Sequence, residues 1–265
     1  MLLLLLPMLA ALPPAAADEE KAPTGAGYEE TEFRLKTAGI DEAMRLEIHE
    51  AIQGGVAVLR KVQLRDGSIL GNDGQTTLGG LALTHAAIPE GTKGGEQAMA
   101  WILRRARKKV ANQTYQAGIA AMLFESHERA RAQQRYLEHL HDRLRRGPLR
   151  DRGYWGYRSG GGDATPNLST AQFACLGLWA AERGGAKTAT RAWKIHLDTL
   201  LKAQRLNGSW SYYAPGDPQG ERENPTGYPT GTFMGLANLV LAREALKEQI
   251  NADPDYDARV RVAIG

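Results

Sequence analysis

Aromatic side chains gather in two glycine-rich stretches of this 265-residue chain, and carboxylates lie close to them in sequence. Tyrosine and tryptophan offer a flat apolar body with a polar tip, and a pair of placed carboxylates can supply the acid and base of glycoside chemistry. The pattern predicts an aromatic-lined surface that binds a glycan or a lipid; the competing interpretation is that the rings only cover the loops between helices. The candidate residues are Tyr154, Trp155, Tyr157, Asp163, Tyr212, Tyr213 and Tyr228.

Residues that could hold a metal are few and scattered. The single cysteine, Cys175, lies in an apolar run, which favours a small buried side chain over a nucleophile and leaves no intramolecular disulfide. His139 and His141 are two positions apart on a predicted helix, so they point in different directions. Zinc needs ligands that converge at short distances. The sequence therefore predicts no metal site, and nothing in it indicates a cofactor.

The elements that must position the aromatic residues are helices of two kinds. Apolar residues recur every three or four positions between glycine-rich breaks, and strand-like alternation is nearly absent. Long charged helices are predicted over 48–64, 96–110, 128–145 and 187–205. Short helices rich in small apolar residues are predicted over 77–87, 114–125, 169–181 and 230–242. Because the two kinds alternate, we expect a buried inner layer and a charged outer layer.

The short helices share a pattern of small, aliphatic and small residues, which indicates an internal repeat. Its copies begin at Gly80, Gly118, Cys175 and Gly235. Small residues let helices approach closely, and repeats of about 40 to 60 residues are typical of helical arrays. A hydroxyl residue precedes each copy, and these residues are predicted to be N-caps: Thr76, Thr114, Ser169 and Thr230.

A second motif follows some of the charged helices. Residues 204–210 read Gln-Arg-Leu-Asn-Gly-Ser-Trp, and 63–69 read Gln-Leu-Arg-Asp-Gly-Ser-Ile. A third copy at 152–157 has the glycine and tryptophan without the glutamine. The form Q-x3-G-x-W resembles the QW motif of the prenyltransferase and squalene-cyclase (squalene oxidase) repeat family. The resemblance implies a structural role for Gln63, Gly67, Gln204, Gly208 and Trp210, which would tie an outer helix to the next repeat.

The resemblance also implies an all-α fold of the α/α-toroid type over residues 44–265. Toroids of this family close a ring with about six helix pairs, whereas this chain offers about four pairs and the start of a fifth. We therefore expect a toroid that is incomplete at its C-terminal end, since an open array exposes the apolar flank of its last pair.

The catalytic motifs of related toroid proteins are matched only in part by this sequence. Cyclases protonate an alkene with a D-x-D-D motif, and the nearest segment, 253–257, is Asp-Pro-Asp-Tyr-Asp, which also suits a helix N-terminus. Protein prenyltransferases hold zinc with aspartate, cysteine and histidine, a set that is not assembled here. Thioester domains use G-C-G-E-Q, but Gly94 stands at the cysteine position before Gly95, Glu96 and Gln97. That segment is instead predicted to start a helix.

The first residues predict export. An apolar stretch at 2–12 is followed by Ala15 and Ala17, which is the pattern of a signal peptide cleaved after Ala17. Residues 18–43 are predicted to be a linker or an N-terminal arm. No later segment is apolar enough to span a membrane. A formal net charge of +3 is too small to indicate nucleic-acid binding.

The sequence therefore predicts an exported, periplasmic or extracellular binding or interaction module with no complete catalytic motif. Its partner would be a small molecule, a glycan or another protein. The alternative is a terpenoid-cyclase-like or carbohydrate-active toroid enzyme whose catalytic residues lie partly outside this chain.

Overall fold

A computed structural model describes residues 26–86, 88–106, 113–127, 131–150, 152–162, 165–216 and 229–264. These residues are all-helical, with isolated β-bridges and no strand among them. The N-terminal half contains α1 Ala26–Thr37, α2 Glu42–Val62, α3 Asp73–His85, α4 Pro89–Ala106, α5 Thr114–Glu125 and α6 Arg131–Leu144. It is followed by α7 Gly147–Arg150, α8 Leu168–Arg183, α9 Thr190–Ala203, α10 Pro229–Ala245, α11 Lys247–Asn251 and α12 Pro254–Ile264.

The helices form two layers. The short helices α3, α5, α8 and α10 pack side by side in that order as an inner row. The charged helices α2, α4, α6, α9 and α12 pack against them as an outer row. The predicted alternation of helix types is confirmed, although α2 and α4 begin earlier than the pattern indicated. Leucine, alanine and tryptophan side chains fill the space between the rows, including Leu123, Leu137 and Trp193, which have no exposed surface.

The starts of the inner helices correct part of the sequence analysis. None of the four predicted residues is an N-cap. Asn72 caps α3 and Asn167 caps α8, each accepting backbone N–H groups on its side-chain oxygen, whereas Gln113 precedes α5 and Thr230 lies within α10. Thr76 lies within the first turn of α3 instead, where its Oγ1 accepts the backbone N–H of Ile69 at 2.9 Å. Thr114 begins α5, and its hydroxyl donates to the Gly156 carbonyl at 2.6 Å. These buried threonines tie the helix starts to the loops.

The glycines of α4 pack against α3. A Cβ on Gly94 would come within 2.8 Å of Leu83 Cδ1, and a Cβ on Gly95 would overlap Thr84 Oγ1. The prediction that this segment starts a helix is therefore wrong, because α4 already begins at Pro89. The glycines are needed in the helix interior, where they bring two backbones close together.

The N-terminal region shows one further helix. α1 lies within the segment predicted to be a linker or arm, and Glu32 joins it to α2 by accepting from Arg45 Nε at 2.9 Å and contacting His49 Nε2 at 3.1 Å. The predicted signal peptide, residues 1–17, lies outside the described residues. Among the helices that the structure describes, none combines the length and apolarity needed to cross a bilayer.

Candidate functional site

The loops after α2 and α9 have the same hydrogen-bond pattern. Gln63 Nε2 donates to the carbonyls of Gly67 and Gly94, both at 2.9 Å. Gln204 Nε2 donates to the carbonyls of Gly208, at 3.3 Å, and Ala263, at 3.0 Å. In both loops the glycine has a positive φ, 92° at Gly67 and 79° at Gly208. Each glutamine thus joins the end of one outer helix to the next outer helix.

Two tryptophans close the loops in an equivalent way. Trp210 Nε1 donates to the carbonyl of Leu200 at 2.9 Å, and Trp155 Nε1 donates to the carbonyl of Leu144 at 2.6 Å. Leu200 and Leu144 both lie in the last turn of an outer helix, where carbonyls lack helical partners. Both indole rings are buried. Trp155 and Trp210 therefore satisfy backbone carbonyls at the C-terminal ends of α6 and α9.

The structure separates the predicted ligand-binding residues into three groups. Tyr154 and Trp155 have no exposed surface, which leaves neither ring open to a ligand from solvent. Tyr157 is 49% exposed, and its ring lies 6.1 Å from that of Tyr115. Tyr212 and Tyr213 are half-buried and stack edge to face at 5.0 Å. Asp163 and Tyr228 lie outside the described residues.

His196 packs against the loop that carries Tyr154 and Trp155, and its burial favours the neutral imidazole. Its Nδ1 lies 2.7 Å from the Gly153 carbonyl, while Nε2 is buried without a hydrogen-bond partner. The rings of Tyr154 and Trp155 stand edge to face to the imidazole at 5.6 and 4.8 Å. Desolvation therefore lowers the pKa of His196 to about 4, although the bond to Gly153 opposes the shift. The same burial raises the pKa of Tyr154.

We expect His196 to make the fold sensitive to acid. Its pKa is about 4 in the folded chain and 6.5 when unfolded, so only the unfolded chain takes up this proton between those values. The contribution of His196 to the free energy of unfolding is therefore constant above pH 6.5. It falls by about 3 kcal/mol as the pH drops toward 4. Chemical denaturation across this range measures the loss. His196→Gln should flatten the profile, whereas the exposed His139→Gln should retain it; equal profiles for the wild type and His196→Gln would contradict the assignment.

A surface that the sequence analysis missed lies on the side of the inner row away from the outer helices. Several large apolar side chains remain exposed there at helical spacing, for example Leu78 at 49% and Val240 at 47%. The Tyr115 and Phe173 rings meet edge to face at 5.0 Å across α5 and α8. This surface, called the inner face below, consists of Leu78, Tyr115, Met122, Phe173, Leu176, Phe233 and Val240. Their three- and seven-residue spacing within the small-residue helices was the available signal.

Polar groups border the inner face at both ends of the inner helices. Near the helix starts, the Tyr115 hydroxyl lies 2.8 Å from Ser169 Oγ. Near the helix ends, Arg183 pairs with Glu125 at 2.6 Å and covers the Trp179 ring at 4.6 Å. The first contact joins the start of α5 to the start of α8, and the second joins their ends. The two helices therefore run parallel to each other. The arrangement leaves an apolar band between two polar margins.

The acidic segment 253–257 lies at the start of α12. Asp253 precedes α12 and accepts the backbone N–H of Tyr256 at 3.1 Å, while Asp257 pairs with Arg261 at 2.7 Å. The geometry is that of a capped helix start on the outer row. No group of three potential metal ligands is found within the described part of the chain. Cys175 is buried, which raises the pKa of its thiol.

Comparisons of the chain with models of known protein families, with curated proteins and with solved structures found no match.

Proposed function

We propose that this chain is an exported binding module of the α/α-toroid type, and that its inner face binds an elongated apolar molecule with polar end groups. The observation that carries the proposal is the apolar band between two polar margins. Contiguous exposed apolar surface in a packed domain marks interaction sites, because leaving it in water is unfavourable.

The dimensions of the inner face favour a chain-like ligand. Tyr115 and Glu125 mark the two margins on α5, a distance of about 15 Å at 1.5 Å per helical residue. A hydrocarbon chain of intermediate length fits this band, and its polar ends would meet the Tyr115–Ser169 pair and the Glu125–Arg183 pair.

The toroid assignment is supported by the repeat geometry. The inner helices pack consecutively, and the glutamines of two equivalent loops each bond the next outer helix. In such an arrangement the inner face would line the concave side of the array, with Leu78, Phe233 and Val240 exposed to solvent. The proposed export follows from the signal-peptide pattern of residues 1–17.

Titration with dodecanoate and farnesol, followed by tryptophan fluorescence or calorimetry, tests the proposal. Leu78→Gln and Val240→Gln should each weaken binding roughly fivefold, since each removes an apolar contact and adds a polar amide to the face. Both residues are about half exposed, so the free energy of unfolding should change by less than about 0.5 kcal/mol.

Leu206→Gln is the matched control, because Leu206 is fully exposed in the loop after α9 and does not belong to the inner face. It should bind as the wild type does. Failure of both probes to bind the wild type, or equal losses in Leu206→Gln and the inner-face variants, would refute the apolar ligand. Tighter binding of cellohexaose than of either apolar probe would instead favour the aromatic loops as a glycan site.

A further inference from the structure

Arginines surround a glycine-rich turn, residues 158–162, called the glycine loop below. Arg143 Nε donates to Ser159 Oγ at 2.9 Å, and Arg150 Nη1 donates to the Gly160 carbonyl at 3.2 Å. The backbone of Gly161 also lies against Arg150 and Arg146. The end of α6, the short α7 and the glycine loop are thereby brought into one surface.

The sequence from residue 142 to residue 163 is rich in positive charge. Residues 142–163 contain six arginines against Asp142, Asp151 and Asp163, an excess of three (6 − 3) that equals the formal net charge of the whole chain. Asp142 pairs with Arg145 and Arg146. The basic patch is defined as Arg143, Arg145, Arg146, Arg150 and Arg158; Arg152 is left out because its Nη1 donates to the Gly216 carbonyl at 3.2 Å.

The glycine loop leaves space for a ligand beside these arginines. Gly161 and Gly162 have positive φ angles of 76° and 86°, which glycine adopts readily. A Cβ on Gly162 would meet nothing within 4 Å, so this part of the loop is open. Tyr157, next to Arg158 in the chain, adds a half-exposed aromatic ring.

We propose that the basic patch binds an acidic polysaccharide through its carboxylates. Guanidinium groups pair with carboxylates through two parallel hydrogen bonds, and the Tyr157 ring can cover an adjacent sugar. A uronate polymer carries one charge per sugar, which suits separated arginines. Duplex DNA carries a charge every 1.7 Å or so and calls for a larger excess of positive charge than three. This interaction goes beyond the proposed apolar ligand: its arginines lie outside the inner face, and Tyr157 adjoins that face through Tyr115.

The test is a titration with oligogalacturonate of about ten sugars at low and moderate salt. Arg146, Arg150 and Arg158 are exposed, so their joint replacement by glutamine should preserve the fold and weaken binding roughly tenfold. The matched control replaces Arg191, Lys194 and Arg243, which are exposed on α9 and α10, and removes the same charge. The control should bind within twofold of the wild type.

Other outcomes would overturn the assignment. Equal weakening by both triple variants would show that net charge alone attracts the polymer. Tighter binding of a 20-base-pair DNA duplex, or of phosphatidylglycerol vesicles, than of oligogalacturonate would assign the patch to a different partner. Binding of neutral dextran with equal affinity would exclude a carboxylate-specific role. Dodecanoate and farnesol binding should be unchanged in the Arg146, Arg150 and Arg158 variant, so the two proposals can fail separately.

Discussion

Replacing Gly177 with alanine is expected to destabilise the chain by about 3 kcal/mol, because α5 and α8 touch through their backbones at this point. A Cβ on Gly177 would lie 2.5 Å from Gly118 Cα and 2.9 Å from Leu144 Cδ1. Gly118 is equally restricted, since its own Cβ would overlap the Phe173 carbonyl. The clash involves backbone atoms, so relief requires the two helices to separate. Urea unfolding of the variant measures the loss.

Gly54 and Gly55 provide a control of opposite sign. Both lie within α2, and a Cβ at either position would meet nothing within 4 Å. Gly54→Ala should therefore stabilise the chain by about 0.5–1 kcal/mol, because alanine restricts the unfolded chain and favours the helix. If Gly177→Ala were as harmless as Gly54→Ala, the close packing of α5 on α8 would be incorrect.

The two layers could be predicted from the sequence because residue size and charge alternate along the chain. The short helices carry small residues where they touch each other, as Gly118 and Gly177 do, and the long helices carry one charged side. Helix type depends on local periodicity, which a single sequence displays directly. The glutamine and glycine of the loops were also visible as a motif, since their backbone geometry requires those residue types.

The candidate site could not be predicted in the same way. Aromatic residues in glycine-rich loops have the same sequence pattern whether they face solvent or the core, and only the fold shows that Trp155 bonds the end of α6 while Tyr157 stays half exposed. The inner helices were expected to be buried on all sides. Leu78 and Phe233 instead remain exposed because the inner row has a layer of helices on one side alone, a property of tertiary packing.

Trp210→Ala is expected to cost about 3–5 kcal/mol, the range for removing a fully buried large side chain. The indole is 1% exposed and packs against the backbone of Gly235, whose Cβ would come within 2.5 Å of the ring. It thus connects the loop after α9 to α10. Loss of the ring would leave a cavity at this junction and would also leave the Leu200 carbonyl without its donor.

A phenylalanine at position 210 separates packing from hydrogen bonding. Trp210→Phe keeps most of the apolar volume, so its cost should be about 1–3 kcal/mol, which corresponds to the unsatisfied Leu200 carbonyl. Trp179→Ala is the comparison at a partly exposed ring, because Trp179 lies beneath Arg183 and packs against the core without being fully buried. Trp210→Phe and Trp179→Ala should therefore each lower the free energy of unfolding by less than Trp210→Ala does. A cost for Trp210→Ala no greater than that for Trp179→Ala would contradict a structural role for the loop tryptophan, and the function of the Q-x3-G-x-W motif would then have to be sought at its surface.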